Sequence, residues 1–426
     1  MLVTLLFQLC GLQTYASSPL GSTLALLWCI GNCILYLNVL AYCVIERRAL
    51  FIDARTGTGI NFIPFIKTSI TIVAHLVVLL EALVTRSMYR VLDVRVTSVD
   101  GALGELTDKA KPRLAQARAQ FRNKLLLFGA FCCVVELGIL ALVYTDPLQL
   151  AIWYLTVPSL VIIRLKHLHH AYHIDRLTAR FDILRERMES LAAGTSSPGQ
   201  PAQTGEKKAP TSLDRWKINV SSRPAVIDPW TVQPPADHPL LRRIMVAKST
   251  YLTLWHASKD LNGCCVYSQL ANLLQNFIQC TCDLYLLYAL LYLNQLDDIF
   301  GFILSIVATF TALGVVLAAC ENCKSQVGQM GQLLYKWHHG DEAGSLLAHT
   351  LENFSLLLQH TPVYFSLGGF FDMDFVLLKE IAAAITTYMV IFIQFMPKED
   401  PAMADPTIAS LINSTVANST PIVKPE

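Results

Sequence analysis

Charge is scarce in this chain. Of its 426 residues, 15% are charged and 53% are hydrophobic. A soluble domain carries roughly 25% charged residues, so the deficit points to a membrane protein. The formal net charge is only +1, so the basic footprint of a nucleic-acid partner is missing. Catalytic signatures are missing too: there is no HExxH, no GxSxG, no phosphate-binding glycine loop and no paired carboxylates on a soluble domain. The expectation is a non-enzyme with no cofactor and no metal. Residues 1–12 are apolar but lack the basic start of a cleaved signal peptide, and read as an uncleaved N-terminal segment. A disulfide framework is absent as well. Of twelve cysteines, Cys29, Cys33, Cys132, Cys133, Cys280 and Cys282 lie inside apolar runs, not in loops where bridges staple secreted folds. Cys320 and Cys323 form a CxxC without a second pair, which favours packing over zinc.

What is present is a series of seven long apolar runs: Leu24 to Ile45, Phe62 to Val84, Leu125 to Thr145, Leu148 to Leu165, one within Cys264 to Leu293, Phe300 to Cys320, and Phe375 to Met396. The last holds 22 residues, about 33 Å of helix, against a hydrocarbon core of about 30 Å. Only Asp146-Pro147 separates spans three and four, and only 294–299 separates five and six, so both pairs are tight helical hairpins.

Lysine and arginine set the orientation. Twenty-five lie in the connections two–three, four–five and six–seven, and five lie on the other side. The positive-inside rule then places the N-terminus in the cytoplasm and the C-terminus outside. Sequons at Asn413 and Asn418 fit an exterior, glycosylated tail. The expected class is an all-α membrane protein of seven transmembrane helices in a multi-pass plasma-membrane setting, in contact with lipid. Its parts are helices one to four over 1–165, a cytoplasmic helical extension and disordered loop over 166–263, and helices five and six over 264–320. Cytoplasmic helices over 321–374, helix seven over 375–396 and an extracellular tail over 397–426 complete it. Within the large loop, 192–210 is rich in Gly, Ser, Pro and Gln and reads as disordered, and helix resumes near Leu240.

Polar groups inside the spans are the candidates for function. Gln269, Asn272, Asn276, Gln279 and Asp283 step by three and four along span five. Such a stripe either fixes packing through interhelical hydrogen bonds or lines a watery cavity. Glu136 and Asp283 are costly in lipid, about 2.5–3.5 kcal/mol for Asp at a helix centre, and serve either as structural partners or as ligand contacts. His75 reads as structural. A small polar ligand needs such groups beside aromatic walls; Trp153, Tyr154, Tyr285 and Tyr288 are the candidates. His167, His169, His170 and His173 read as a juxtamembrane polar face, with a metal between His169 and His173 as the alternative. On the seventh span, Glu380, Thr387 and Gln394 recur every seven residues with Ala384 and Ile391 on the same face. Several copies of such a stripe around an axis make polar rings with apolar gates.

The seventh span also carries a motif: Thr387-Tyr388, five apolar residues, then Gln394-Phe395. Ahead of it stand Gly368-Gly369-Phe370-Phe371-Asp372-Met373-Asp374 and Leu377-Leu378. This resembles the C-terminal signature of the insect gustatory receptors. The resemblance implies a subunit of a tetrameric, tastant-gated, non-selective cation channel, homomeric or assembled with related receptors, in the dendrite of a sensory neuron. It implies a gate at Gln394 and Phe395, with Ile391 beside them. It also implies that Thr387 and Tyr388 pack the pore helix on helix five, that 321–374 is an anchor, and that the tastant, a sugar or a bitter compound, enters from outside. Sugar receptors of that family look to carry Glu after the Thr-Tyr pair; here Met389 stands, which weakens a sugar ligand. The rivals are a metabotropic seven-helix receptor, which the charge bias opposes, and a secondary transporter, for which no internal repeat is visible.

Overall fold

The computed structural model describes residues 2–15, 18–46, 62–145, 147–195, 239–292, 299–338 and 346–394. These form ten helices and one short hairpin. In order they are α1 (Leu2–Leu9), α2 (Pro19–Ile45), α3 (Phe62–Val84), α4 (Arg86–Leu106), α5 (Ala110–Val143), α6 (Pro147–Thr195), α7 (Pro239–Tyr292), α8 (Ile299–His338), α9 (Leu346–His360), β1 (Ser366–Leu367), β2 (Phe371–Asp372) and α10 (Phe375–Gln394).

Spans one to seven correspond to α2, α3, α5, α6, α7, α8 and α10. Six of these are apolar and long enough to cross a membrane. The exception is α7, because the polar stripe from Gln269 to Asp283 lowers its hydropathy. Its 54 residues are still ample in length, and the stripe is buried. The helices begin where the local chemistry dictates. Ser18 caps α2, accepting from the Gly21 amide at 3.1 Å, with Pro19 opening the helix. Pro158 sits within α6, where the missing N–H is tolerated because neighbouring helices cover the backbone.

Four helices are far longer than a bilayer requires: α5, α6, α7 and α8. Their ends, with α4 and α9, share one large apolar core. Fully buried Phe181, Tyr251 and Phe354 lie at its centre, with ring centroids 5.9 and 6.0 Å apart in sequence. Burial pushes the Tyr251 phenol up to about 12, so the hydroxyl stays protonated and donates to the Thr361 carbonyl at 2.5 Å. Ion pairs stitch the rim of this core: Arg180 to Asp100 at 2.8 Å, Arg176 to Asp93 at 2.5 Å and Arg95 to Asp260 at 2.5 Å. Helix α4 is an element that the hydropathy pattern does not reveal. Its buried face (Leu92, Val96, Val99, Leu103) has helical spacing, but it is hidden among the basic residues that were counted for orientation.

Two expectations need correction. The stretch expected to be disordered from residue 192 is helical through Thr195; 196–210 lies outside the described residues. The histidines of α6 do not form a solvated face. His167, His169, His170 and His173 are 1–4% exposed, because α1, α4 and α7 cover that side of the extension. Phe7 lies 4.8 Å from the His169 ring and Tyr89 5.2 Å from that of His173, while Asn276 reaches His167 Nε2 at 3.1 Å. No group of three metal-ligating side chains forms among the described residues.

Candidate functional site

The outer half of the bundle encloses a cavity of about 390 Å³. Five helices wall it: α3 through Lys67, Thr68 and Thr71; α5 through Glu136; α6 through Trp153 and Thr156; α7 through Gln279 and Asp283; and α8 through Phe302 and Ser305. Most of the remaining wall is Leu, Ile and Val. Gly301 belongs to it because α8 passes close to α5: a Cβ there would stand 3.3 Å from Leu142 Cδ1.

Four residues singled out from the sequence, Glu136, Trp153, Gln279 and Asp283, come together here. Three others do not. Tyr154 is 62% exposed on the outer surface of α6, where lipid would lie, and touches Trp153 edge-on at 5.1 Å. Tyr285 turns to the far face of α7 and meets Phe392 of α10 at 5.7 Å. Tyr288, three residues on, is half-buried and away from the cavity. The physical reason is the helical period: Tyr285 and Tyr288 lie opposite the polar stripe, which Leu286 and Leu290 continue along the cavity wall.

Both acids carry a basic partner that sequence reasoning passed over. Asp283 is fully buried and accepts from three donors: the Lys67 ammonium, Gln279 Nε2 at 2.9 Å and Ser305 Oγ at 2.7 Å. Glu136 accepts from Arg164 Nη1 at 2.5 Å. The available signal was a lone base in each apolar run, since an ionised group inside a membrane protein needs a counter-ion. Below the cavity the stripe turns to packing. Asn272 Nδ2 approaches the Ile163 carbonyl at 3.5 Å, and Gln275 donates to Thr71 at 3.3 Å. At the inner end Glu81 takes the Ser268 amide and hydroxyl, both at 2.6 Å, with Lys166 Nζ at 3.6 Å. The stripe therefore does both jobs left open by the sequence: its outer two members line space, and the rest pack. His75 is buried, hydrogen-bonded to Ser159 at 3.0 Å beside the Tyr36 ring.

The second site is α10. The glycine-rich lead-in folds as the β1–β2 hairpin, with Gly368 and Gly369 at φ 62° and 81°, conformations that suit glycine. Asp374 then caps α10, accepting from the Val376 amide at 2.9 Å. Only Leu377 and Ile385 of α10 are buried. Glu380, Thr387, Ile391 and Gln394 are all exposed, on a helix that docks mainly on α7. Tyr388 packs on α7, its ring 5.6 Å from Phe277. Thr387 does not; its hydroxyl donates back to the Ala383 carbonyl at 3.0 Å. Phe395, Asn413 and Asn418 lie outside the described residues.

Comparison with known proteins agrees with this architecture. The family model of the 7tm chemosensory receptor matches residues 2–399. A Drosophila melanogaster protein named "Putative gustatory receptor 2a" is 27% identical over 204 residues, 43% of this chain and 48% of the relative. The chain thus spans about half the length of the curated relative it matches. The olfactory receptor OR5 of Machilis hrabei has the same fold at 10% identity, with a TM-score of 0.56, covering 92% of this chain and 97% of that one. Its structure in complex with eugenol gives 8% identity and a TM-score of 0.54 over the same shares. Matched by that family model over nearly its whole length, the chain belongs to the 7tm chemosensory receptor family.

Proposed function

We propose that this chain is a subunit of a tastant-gated, non-selective cation channel, assembled as a tetramer with itself or with related receptors. The observation that carries the reading is the uncovered stripe of α10. Glu380, Thr387 and Gln394 point away from their own subunit on a helix long enough to span. Lipid cannot satisfy such a stripe, so it must face water or other copies. Four copies would set rings of Glu380 at the inner end, Thr387 in the middle and Gln394 at the outer end, with Ile391 and Phe395 as apolar neighbours able to gate by dewetting.

The exposed apolar side chains of the cytoplasmic layer support assembly. Tyr335 is 57% exposed, Tyr364 48% and Phe370 77%, in a part of the chain that lipid does not reach. Neighbouring subunits would cover them, making 321–374 the anchor. The ligand site is the outer cavity, and eugenol bound to the OR5 receptor shows a small molecule held by a protein of this fold. Binding acts on α7, whose opposite face carries α10. The ligand opens the channel because it binds the open state better.

The test is whole-cell current from this chain expressed alone, with G-protein signalling blocked, during challenge with sugars and bitter compounds. A rapid cation current whose rectification or block changes in Gln394→Ala is expected. A ligand response abolished by the G-protein block, or ligand uptake without unitary currents, would overturn the reading.

A further inference from the structure

The cavity says more about its ligand than its position does. We infer that it takes an uncharged, mostly apolar molecule that offers one hydrogen-bond acceptor, such as a ketone, ester or lactone, to Lys67. Sugars and protonated amines are excluded. This rests on the reading of the cavity as the ligand site.

The hydroxyls on the wall are mostly spent inside the protein. Thr71 donates to the Lys67 carbonyl at 2.7 Å and Thr156 to the Ile152 carbonyl at 2.9 Å, while Ser305 is held by Asp283. The Gln279 amide N–H group serves Asp283 and Ser305 at 2.9 and 3.1 Å. A sugar entering this space would leave water with many hydroxyls and find partners for few of them, and unpaired polar groups are what such sites reject.

Cations fare no better. Asp283 is saturated by its three donors, and Glu136 is neutralised by Arg164. An ammonium would have to displace Lys67 from its acid. An anion would enter a region whose charges already cancel pairwise, and would be desolvated without a counter-ion of its own.

The Trp153 indole N–H is also without a partner but is itself buried; the donor left with exposure at the wall is the Lys67 ammonium. It gives one hydrogen bond to Asp283, its side chain is 20% exposed, and it stands 5.7 Å from the Phe302 ring centroid at the cavity wall. An ammonium has three N–H donors, so two can meet a carbonyl or ether oxygen. The Phe302 ring beside it offers a face for an aromatic or alkyl body. The rest of the ligand lies against Ile139, Leu142, Leu160 and Leu286.

The experiment uses the full chain in lipid nanodiscs and reads the shift in thermal unfolding with five probes: benzylacetone, the hydrocarbon butylbenzene, the primary amine of the same skeleton, fructose and sucrose. Benzylacetone is expected to stabilise the protein and to bind about tenfold or more tightly than butylbenzene, the worth of one good hydrogen bond in an apolar site. The amine and both sugars produce no shift. In Lys67→Met/Asp283→Asn, which removes the donor without stranding its acid, the preference for benzylacetone over butylbenzene disappears. Leu160→Trp, which fills the cavity, abolishes both shifts and leaves the fold intact. Retention of the preference in the double variant, stabilisation by fructose, sucrose or the amine, or stabilisation by none of the probes overturns the inference. Current separates this from the channel reading. A fructose- or sucrose-evoked current altered by Gln394→Ala sinks the ligand class and keeps the channel. Benzylacetone binding with no current from any probe does the reverse.

Discussion

The Tyr388 ring meets Phe277 nearly edge-on, with centroids 5.6 Å apart and an interplanar angle of 77°. Phe277 is on α7, two residues before Gln279 in the cavity wall. One helix therefore has its cavity face and its α10 face within a single turn. A ligand that moves Asp283 or Gln279 moves the surface on which α10 rests. Tyr285 on Phe392, two turns outward, makes a second such contact. Phe277→Ala should uncouple binding from opening. Edge-on aromatic pairs contribute about 0.5–1.5 kcal/mol beyond area burial, so the half-activating ligand concentration should rise about two- to tenfold while direct binding is unchanged. Equal loss of binding would show that the contact supports only the pocket.

The Arg164–Glu136 pair tests the cost of a buried charge. Arg164→Leu leaves Glu136 without its counter-ion in the apolar half of the bundle. Removing one partner of a buried pair costs about 3–5 kcal/mol. Surface expression and the unfolding midpoint in detergent should both drop. Arg164→Leu with Glu136→Leu should recover most of the loss, since it is the stranded charge that destabilises. If the double variant is no better than the single, the side chains are needed for packing or gating and not for mutual neutralisation.

Glu380 is exposed at the inner end of α10. In the proposed tetramer four copies concentrate cations at the cytoplasmic mouth. Glu380→Gln should lower unitary cation conductance by about twofold or more at low ionic strength, with the gap closing as salt screens the ring. Conductance unchanged at every salt concentration would place Glu380 away from the ion path.

Tyr251 lies in the large apolar core shared by the helix extensions, where burial pushes its pKa up to about 12. The unfolded chain loses this proton near pH 10. The native state then binds more protons than the unfolded one between about pH 10 and 12, so stability falls as pH rises through that window. Tyr251→Phe loses the bond to Thr361, about 1 kcal/mol at neutral pH, and should show a shallower alkaline decline in the unfolding midpoint. A decline of equal slope in the variant would assign the alkaline limit to other groups.

The spans, their order and the polar period on two of them are legible in the residues alone. Those follow from local properties: apolar run length against bilayer thickness, and residue spacing against the helical turn. Thus α10 and the stripe of α7 were visible as patterns, and Glu136 and Asp283 stood out as acids without local partners, whereas the β1–β2 hairpin lies in a stretch expected to be helical. Which groups meet is set by helix packing. Lys67 is 216 residues from Asp283, and Arg164 is 28 from Glu136; no periodicity joins helices that pack side by side. The same holds for the histidines of α6, buried by α1, α4 and α7, and for Tyr154 and Tyr285, whose helix faces only packing could orient. Hydropathy records what a residue costs in lipid, and packing records what repays that cost, so the acids were legible one by one and their saturation by named donors was not.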